Sequence, residues 1–247
     1  MRLGSILLPI LLTAAAAMPA QQVRETPPPY AGPFTMVPGV FVTPIAGVPF
    51  SATVMIESKQ PLGDGSVETR VTQTKIARDS RGRIRNERHM LVPSGTQGMP
   101  PLISVHVFDP STRVSYTFNP ATMIARKQTV PPPQTQIVTG GNSEDLGYTT
   151  LNGMQAKGTR TTRIVPAAVS GTGKPVTVSD EVWYSEDLHM NLMEEHSDVR
   201  GGKQSVAILS IQRTEPAPSL FEVPSGYRIV DMTPPQNAPI AAQDAGH

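Results

Sequence analysis

Between Gly47 and Arg213 the chain never sustains an amphipathic helical pattern beyond about two turns. Turn signals divide it instead into short segments rich in residues that favour strands. Gly47–Lys59 holds Phe50, Thr53, Val54, Met55 and Ile56. Val67–Arg78 follows the turn Gly63-Asp64-Gly65, and Asp79-Ser80-Arg81-Gly82 leads into Arg83–Leu91 as a hairpin. Ile103, Val105 and Val107 alternate with Ser104 and His106. After the turn Asp109-Pro110-Ser111-Thr112, Val114, Tyr116 and Phe118 alternate with Arg113, Ser115 and Thr117, the cleanest period-2 stretch in the chain. Thr122–Thr129 is a further strand.

The polar loop Pro131–Asn142 separates this set from a later one: Gly147–Asn152, Met154–Ile164, and a meander of Val176–Tyr184, Met190–Val199 and Lys203–Arg213. Roughly ten short strands at regular spacing predict a sandwich, a barrel or one strongly curved sheet. Val67–Arg78 alternates poorly, because Val67, Val71 and Ala77 share a face with Gln73 and Lys75. It reads as an edge strand, with a strand lining a partly wet cavity as the alternative.

The flanks have a different composition. Arg2 precedes an apolar run from Ile6 to Ala17, and Ala15 and Ala17 form an A-x-A cleavage site. This is the layout of a secretory signal peptide, too short to span a bilayer. Residues 1–17 are assigned to it, with cleavage after Ala20 as the alternative. Pro19, Pro27, Pro28, Pro29, Pro33, Pro38 and Pro44 make residues 18–46 an extended proline-rich segment. Residues 47–231 form the β domain, and residues 232–247, with Pro234, Pro235 and Pro239, a disordered tail. The chain contains no cysteine. A lipid anchor on a cysteine is therefore closed, and no second apolar stretch predicts a transmembrane anchor in the mature chain. A periplasmic or secreted location follows.

Cleavage removes Arg2 from the 21 basic residues and none of the 20 acidic ones, so the mature chain carries no net charge. Nucleic acid is excluded as main partner, since phosphate binding needs a basic excess. Aromatic residues at 5% also argue against base-stacking platforms.

Several phrases carry a family resemblance. They are Arg78-Asp79-Ser80-Arg81-Gly82-Arg83-Ile84-Arg85-Asn86-Glu87, Val107-Phe108-Asp109-Pro110, Tyr116-Thr117-Phe118-Asn119-Pro120, Leu146-Gly147, Gly158-Thr159-Arg160, Glu181-Val182-Trp183-Tyr184-Ser185 and Leu220-Phe221-Glu222-Val223-Pro224-Ser225-Gly226-Tyr227. From Gly47 to Val230 the chain resembles a group of uncharacterised secreted bacterial proteins and, more distantly, the LolA/LolB/LppX-like periplasmic superfamily. That resemblance implies a mainly β fold: a single curved antiparallel sheet, or half-barrel, with few short helical segments. It also implies a concave side that holds lipid or acyl chains. No residue of this chain matches a lipid-contacting position.

Arg81, Arg83 and Arg85 would project from one face of a strand, continued by Glu87 and His89. They are a candidate anion site for a phosphate or carboxylate head group. The competing reading is a solvated hairpin whose arginines pair with Asp79 and Glu87. Trp183 is a core or rim anchor, or alternatively a cavity wall. Met154, Met190 and Met193 suit either a cavity or a core. Leu220, Phe221 and Tyr227 are expected to plug one end of the sheet.

His196 and Glu194 share a strand face, but His189 faces away, short of the three or four ligands zinc needs. No metal and no cofactor is therefore expected. Ser170-Gly171-Thr172-Gly173-Lys174 lacks the first glycine and the Ser or Thr of a phosphate loop, having Ala168 and Pro175 there. No G-x-S-x-G elbow is present, so no catalytic residue is assigned.

The expected function is an exported envelope binding protein, not an enzyme, holding a lipid or other apolar small molecule on a concave sheet face. The alternatives are a protein-interaction or sensory module that docks another envelope protein and, further off, a hydrolase without a recognisable motif. A carrier predicts an apolar cavity beyond the packed core, and a docking module predicts exposed apolar surface.

Overall fold

The computed structural model describes residues 40–132 and 142–233. The expected signal peptide, most of the proline-rich segment, the middle of the Pro131–Asn142 loop and nearly all of the tail lie outside these residues. The strands, in chain order, are β1 (Phe50–Pro61), β2 (Val67–Arg78), β3 (Ile84–His89), β4 (Val92–Pro93), β5 (Leu102–Asp109), β6 (Val114–Asn119) and β7 (Ile124–Thr129). They continue as β8 (Asn142–Leu151), β9 (Met154–Val165), β10 (Val176–Ser185), β11 (Met190–Asp198), β12 (Gly202–Gln212) and β13 (Arg228–Asp231). A four-residue helix α1 (Ala167–Ser170) lies in the stretch that superficially resembles a phosphate loop, and a 3-10 turn spans Pro218–Phe221.

All thirteen strands belong to one curved sheet ordered β13-β7-β6-β5-β3-β2-β1-β12-β11-β10-β9-β8, with β4 alongside β2. Its ends, β13 and β8, do not pair. The expected mainly β, single curved antiparallel sheet is the observed one, with a single departure. β13 runs parallel to β7, because the chain crosses one face of the sheet before it returns. The earlier and later strand sets meet at β1 and β12, in the register Val54↔Ile208 and Ile56↔Val206.

β2 is not the edge strand its alternation suggests. It lies between β1 on one side and β3 and β4 on the other. Its buried face is Thr72, Thr74 and Ile76, with Gln73 and Lys75 outward. Two threonines supply the period that valines would normally announce. The Thr74 hydroxyl donates to the Glu87 carbonyl, which removes the cost of burying it.

The sheet has a core on each face. Directly opposed residues share a face, so Thr72, Ile56, Val206, Glu194, Val182 and Thr159 form one row across β2, β1, β12, β11, β10 and β9. On this inner face the first core gathers Phe50, Val54, Ile56, Ile76, Leu192, Val206 and Ile208, with Val40 and Val42 laid over it. The described end of the proline-rich segment is thus packed: Val42 bridges to Met190, and Thr43 N–H donates to the His189 carbonyl. The second core lies on the opposite face of β5–β7. Ala77, Val105, Val107, Phe118 and Ala125 are covered there by Leu220, Phe221, Val223 and Tyr227, so the residues expected to plug one end of the sheet lie over one of its faces.

Arg78 locks the segment before β1 to the sheet. It is fully buried, and it donates from Nε to the Val48 carbonyl (2.9 Å), from Nη1 to Thr43 (2.6 Å) and from Nη2 to Leu188 (2.6 Å). Its guanidinium stacks over the Phe50 ring at 5.1 Å. Burial pushes its pKa down to about 10, which leaves it charged at neutral pH. The following turn needs its glycine: Gly82 has φ +83°, and a Cβ there would come within 2.8 Å of the Ile45 carbonyl carbon.

Candidate functional site

The arginines singled out in the sequence do not converge. Arg83 is buried, with Nε 2.6 Å from Asp79 Oδ2 and its guanidinium 4.8 Å over the Phe221 ring. Asp79 also accepts from the Arg81 and Arg83 backbone N–H groups, which closes the turn. Arg85 lies on the same side. It donates to the Leu220 carbonyl at 3.0 Å and to Glu87 Oε1 at 2.9 Å. Both therefore hold the Pro218–Phe221 turn onto the sheet. Arg81 sits in the turn itself, exposed, 3.7 Å from Asp79.

Trp183 packs beside the first core, with Nε1 donating to Glu181 Oε1 at 2.7 Å. Its ring covers Gly158 so closely that a Cβ there would lie 2.6 Å from it. Burial works to raise the Glu181 pKa, but the hydrogen bonds from Trp183 and Arg160 more than offset this and leave it below the usual carboxylate range.

A recess of about 160 Å³ opens one residue away, bordered by Asp180, Val182, Glu194, His196, Gln204 and Val206, with Glu181 and Glu195 at its margin. Its chemistry is mixed. Val182 and Val206 are apolar, Asp180 Oδ1 lies 2.6 Å from His196 Nδ1, and Glu194 stands beside them in the strand row. Glu194 Oε1 accepts from the Phe41 backbone N–H (3.0 Å) and from Asn191 Nδ2 (2.8 Å). Burial raises its pKa, and these two bonds oppose the rise. The shared face of Glu194 and His196 is legible from their spacing. Asp180 and Val182 join them only through the β10–β11 register, which a bulge at Trp183/Tyr184 offsets. Room for about five waters is well below the roughly 300 Å³ at which small-molecule pockets begin. Among the described residues no cluster of three or more His, Asp or Glu is placed to hold a metal ion.

His106 and Ser115 form a serine–histidine contact, with Nε2 to Oγ at 2.8 Å. Both are buried within the sheet, so the pair does not present a nucleophile to solvent.

The most asymmetric feature is the pair of rims. Alternating strand directions place the β2–β3, β5–β6, β8–β9 and β10–β11 turns at one end of the sheet. The β1–β2, β3–β5, β6–β7, β9–β10 and β11–β12 connections lie at the other. Every connection of this second rim carries an exposed apolar side chain: Leu62 and Val67, Met90 and Met99, Met123, Ile164 and Val169, and Val199. Their exposures run from 44% to 74%. The four turns of the first rim carry no such residue among those described, the exposed apolar side chain at that end being Met232 just after β13, and three of the turns are charged: Asp79 and Arg81, Arg113, and Glu186 and Asp187. On the second rim, residues 90–101 and 120–123 contain no charge at all. This feature is invisible in the sequence, where the apolar tips are scattered over more than a hundred positions. Among the described residues no helix is long and apolar enough to cross a membrane.

Neither a protein-family model nor a curated protein sequence matches the chain. Solved structures do. The chain is similar to an uncharacterized conserved protein from Thermus thermophilus, at 14% identity and a TM-score of 0.42 over 74% of this chain and 90% of that one. It is similar to the MucA/MucB complex structure of Pseudomonas aeruginosa at 12% identity and a TM-score of 0.36, over 70% of this chain but only 55% of that one. A LolA superfamily protein from Nitrosomonas europaea matches at 11% identity and a TM-score of 0.29, over 71% of this chain and 90% of that one. These similarities are distant ones, at 11% to 14% identity, and concern structure alone.

Proposed function

We propose that the protein is a non-catalytic binding protein of the bacterial cell envelope that acts by docking through the second rim of its sheet. The observation that carries this reading is the rim asymmetry: five of five connections at one end expose large apolar side chains, and none of the four turns at the other does. Packing does not require exposed apolar tips on every turn of one end. A surface that docks gives such exposure a use. The signal-peptide layout of residues 1–17 supports export.

Photo-crosslinking in an exporting bacterial host tests this. A crosslinking residue at Met99 or Val199 should form adducts, and one at Thr112 on the first rim should not. Adducts at both rims alike, or at neither, would overturn the docking reading.

A second reading, in which an apolar ligand lies along the inner face, has Val182 and Val206 in its support, although the recess they border is too small to enclose such a ligand. Native mass spectrometry of the exported protein separates the two. Lipid co-purifying in a fixed ratio supports the carrier, and an unliganded mass supports docking.

A further inference from the structure

We infer that the second rim seats on the surface of a lipid bilayer bearing anionic head groups. This rests on the docking reading and names its partner. The apolar tips do not form one patch. They stand on separate connections along ten neighbouring strands, from β7 to β9, an arc of about 45 Å at the usual strand spacing. A protein partner would need a matching pocket for each tip along that arc. The interfacial zone of a bilayer accepts apolar side chains anywhere in its plane, so a row of independent tips suits it.

The charges behind the tips fit the same surface. Arg163 and Lys174 flank the β9–β10 connection. Arg228, whose backbone N–H donates to the Met123 carbonyl, stands beside the β6–β7 turn. All three are exposed and have no carboxylate partner among the described residues. Among the acids of this rim, Asp198 pairs with Arg200 at 2.5 Å and Glu68 with Arg70 at 3.0 Å, while Asp64 accepts from the Ser66 N–H and hydroxyl and keeps its charge, one unpaired carboxylate against three unpaired cations. Apolar tips with unpaired cations just behind them match lipid interface in front and anionic head groups around it.

The test is co-sedimentation of the processed full chain with vesicles of phosphatidylglycerol mixed into phosphatidylcholine, and with vesicles of phosphatidylcholine alone. The wild type should sediment with the first and much less with the second. Val169→Asp combined with Val199→Asp should lower the partition coefficient by about tenfold or more. Thr112→Asp, which adds the same charge type at the first rim, should leave it within about twofold. Met99→Ser combined with Leu62→Ser repeats the test without added charge, and unchanged thermal melting confirms that each variant is folded. Absence of binding to the anionic vesicles, or binding indifferent to the rim substitutions, overturns the inference. Rim-specific crosslinks without vesicle binding would leave docking in place and assign it to a protein. Crosslinks at neither rim would overturn the docking reading itself.

Discussion

His106 should make the fold acid-sensitive at a pH where most carboxylates are still ionised. The imidazole is only 6% exposed, and burial lowers its pKa from 6.5 to about 4. In the unfolded chain the ring takes up a proton as the pH falls below 6.5. In the folded chain it stays neutral until about 4, so acid favours the unfolded state. The stability at stake is intact above pH 6.5 and lost progressively down to pH 4. From these two pKa values the loss is about 2 kcal/mol at pH 5 and about 3 kcal/mol at pH 4. Carboxylates titrate in the same range, so the measurement is a comparison. Urea unfolding of the wild type and of His106→Gln, whose side-chain amide can keep a bond to Ser115 Oγ, should be followed from pH 7.5 to pH 4 (a range of about 3.5 units chosen to bracket both values). The stability curves should converge by about 3 kcal/mol across it, the wild type falling faster. Parallel curves would refute the reasoning, because they would mean that His106 titrates alike in both states.

Two further substitutions probe the packing around the site. Arg78→Lys cannot reach all three carbonyls of Val48, Thr43 and Leu188. It should cost about 3 kcal/mol in urea unfolding and speed amide exchange at Thr43, whose N–H is bonded to His189. Gly158→Ala should destabilise by about 1–3 kcal/mol and shift the emission of Trp183, the single tryptophan, since the added methyl meets its ring and Leu146. An unshifted spectrum would show that the ring does not cover Gly158.

Most strands are legible because their inward positions are valine, isoleucine or phenylalanine, as in β1, β5 and β6. β2 is misread as an edge because its inward positions are threonines, whose β-branched bodies pack like valine while their hydroxyls look polar on paper. β13 escapes notice for another reason. Its four residues form a strand only because β7 presents an edge to them, a pairing set by the path of the chain across the second core. The arginine run is visible in the sequence, but its chemistry depends on what folds over it. Phe221 and the Leu220 carbonyl, about 135 residues away, turn Arg83 and Arg85 into fasteners of the Pro218–Phe221 turn. The rim is the extreme case, since its pattern exists only once the strand order says which turns share an end.

Ile76 belongs to the first core and its neighbour Ala77 to the second. The β2 backbone is therefore a party wall with an occupied room on each side. A slip of β2 by one residue would not merely expose an apolar face. It would push the larger side chain into the space fitted to alanine and leave the smaller one in a space fitted to isoleucine, penalising both rooms at once. A wall shared in this way couples the two cores, so they should melt in a single transition although no hydrophobic contact need pass between them.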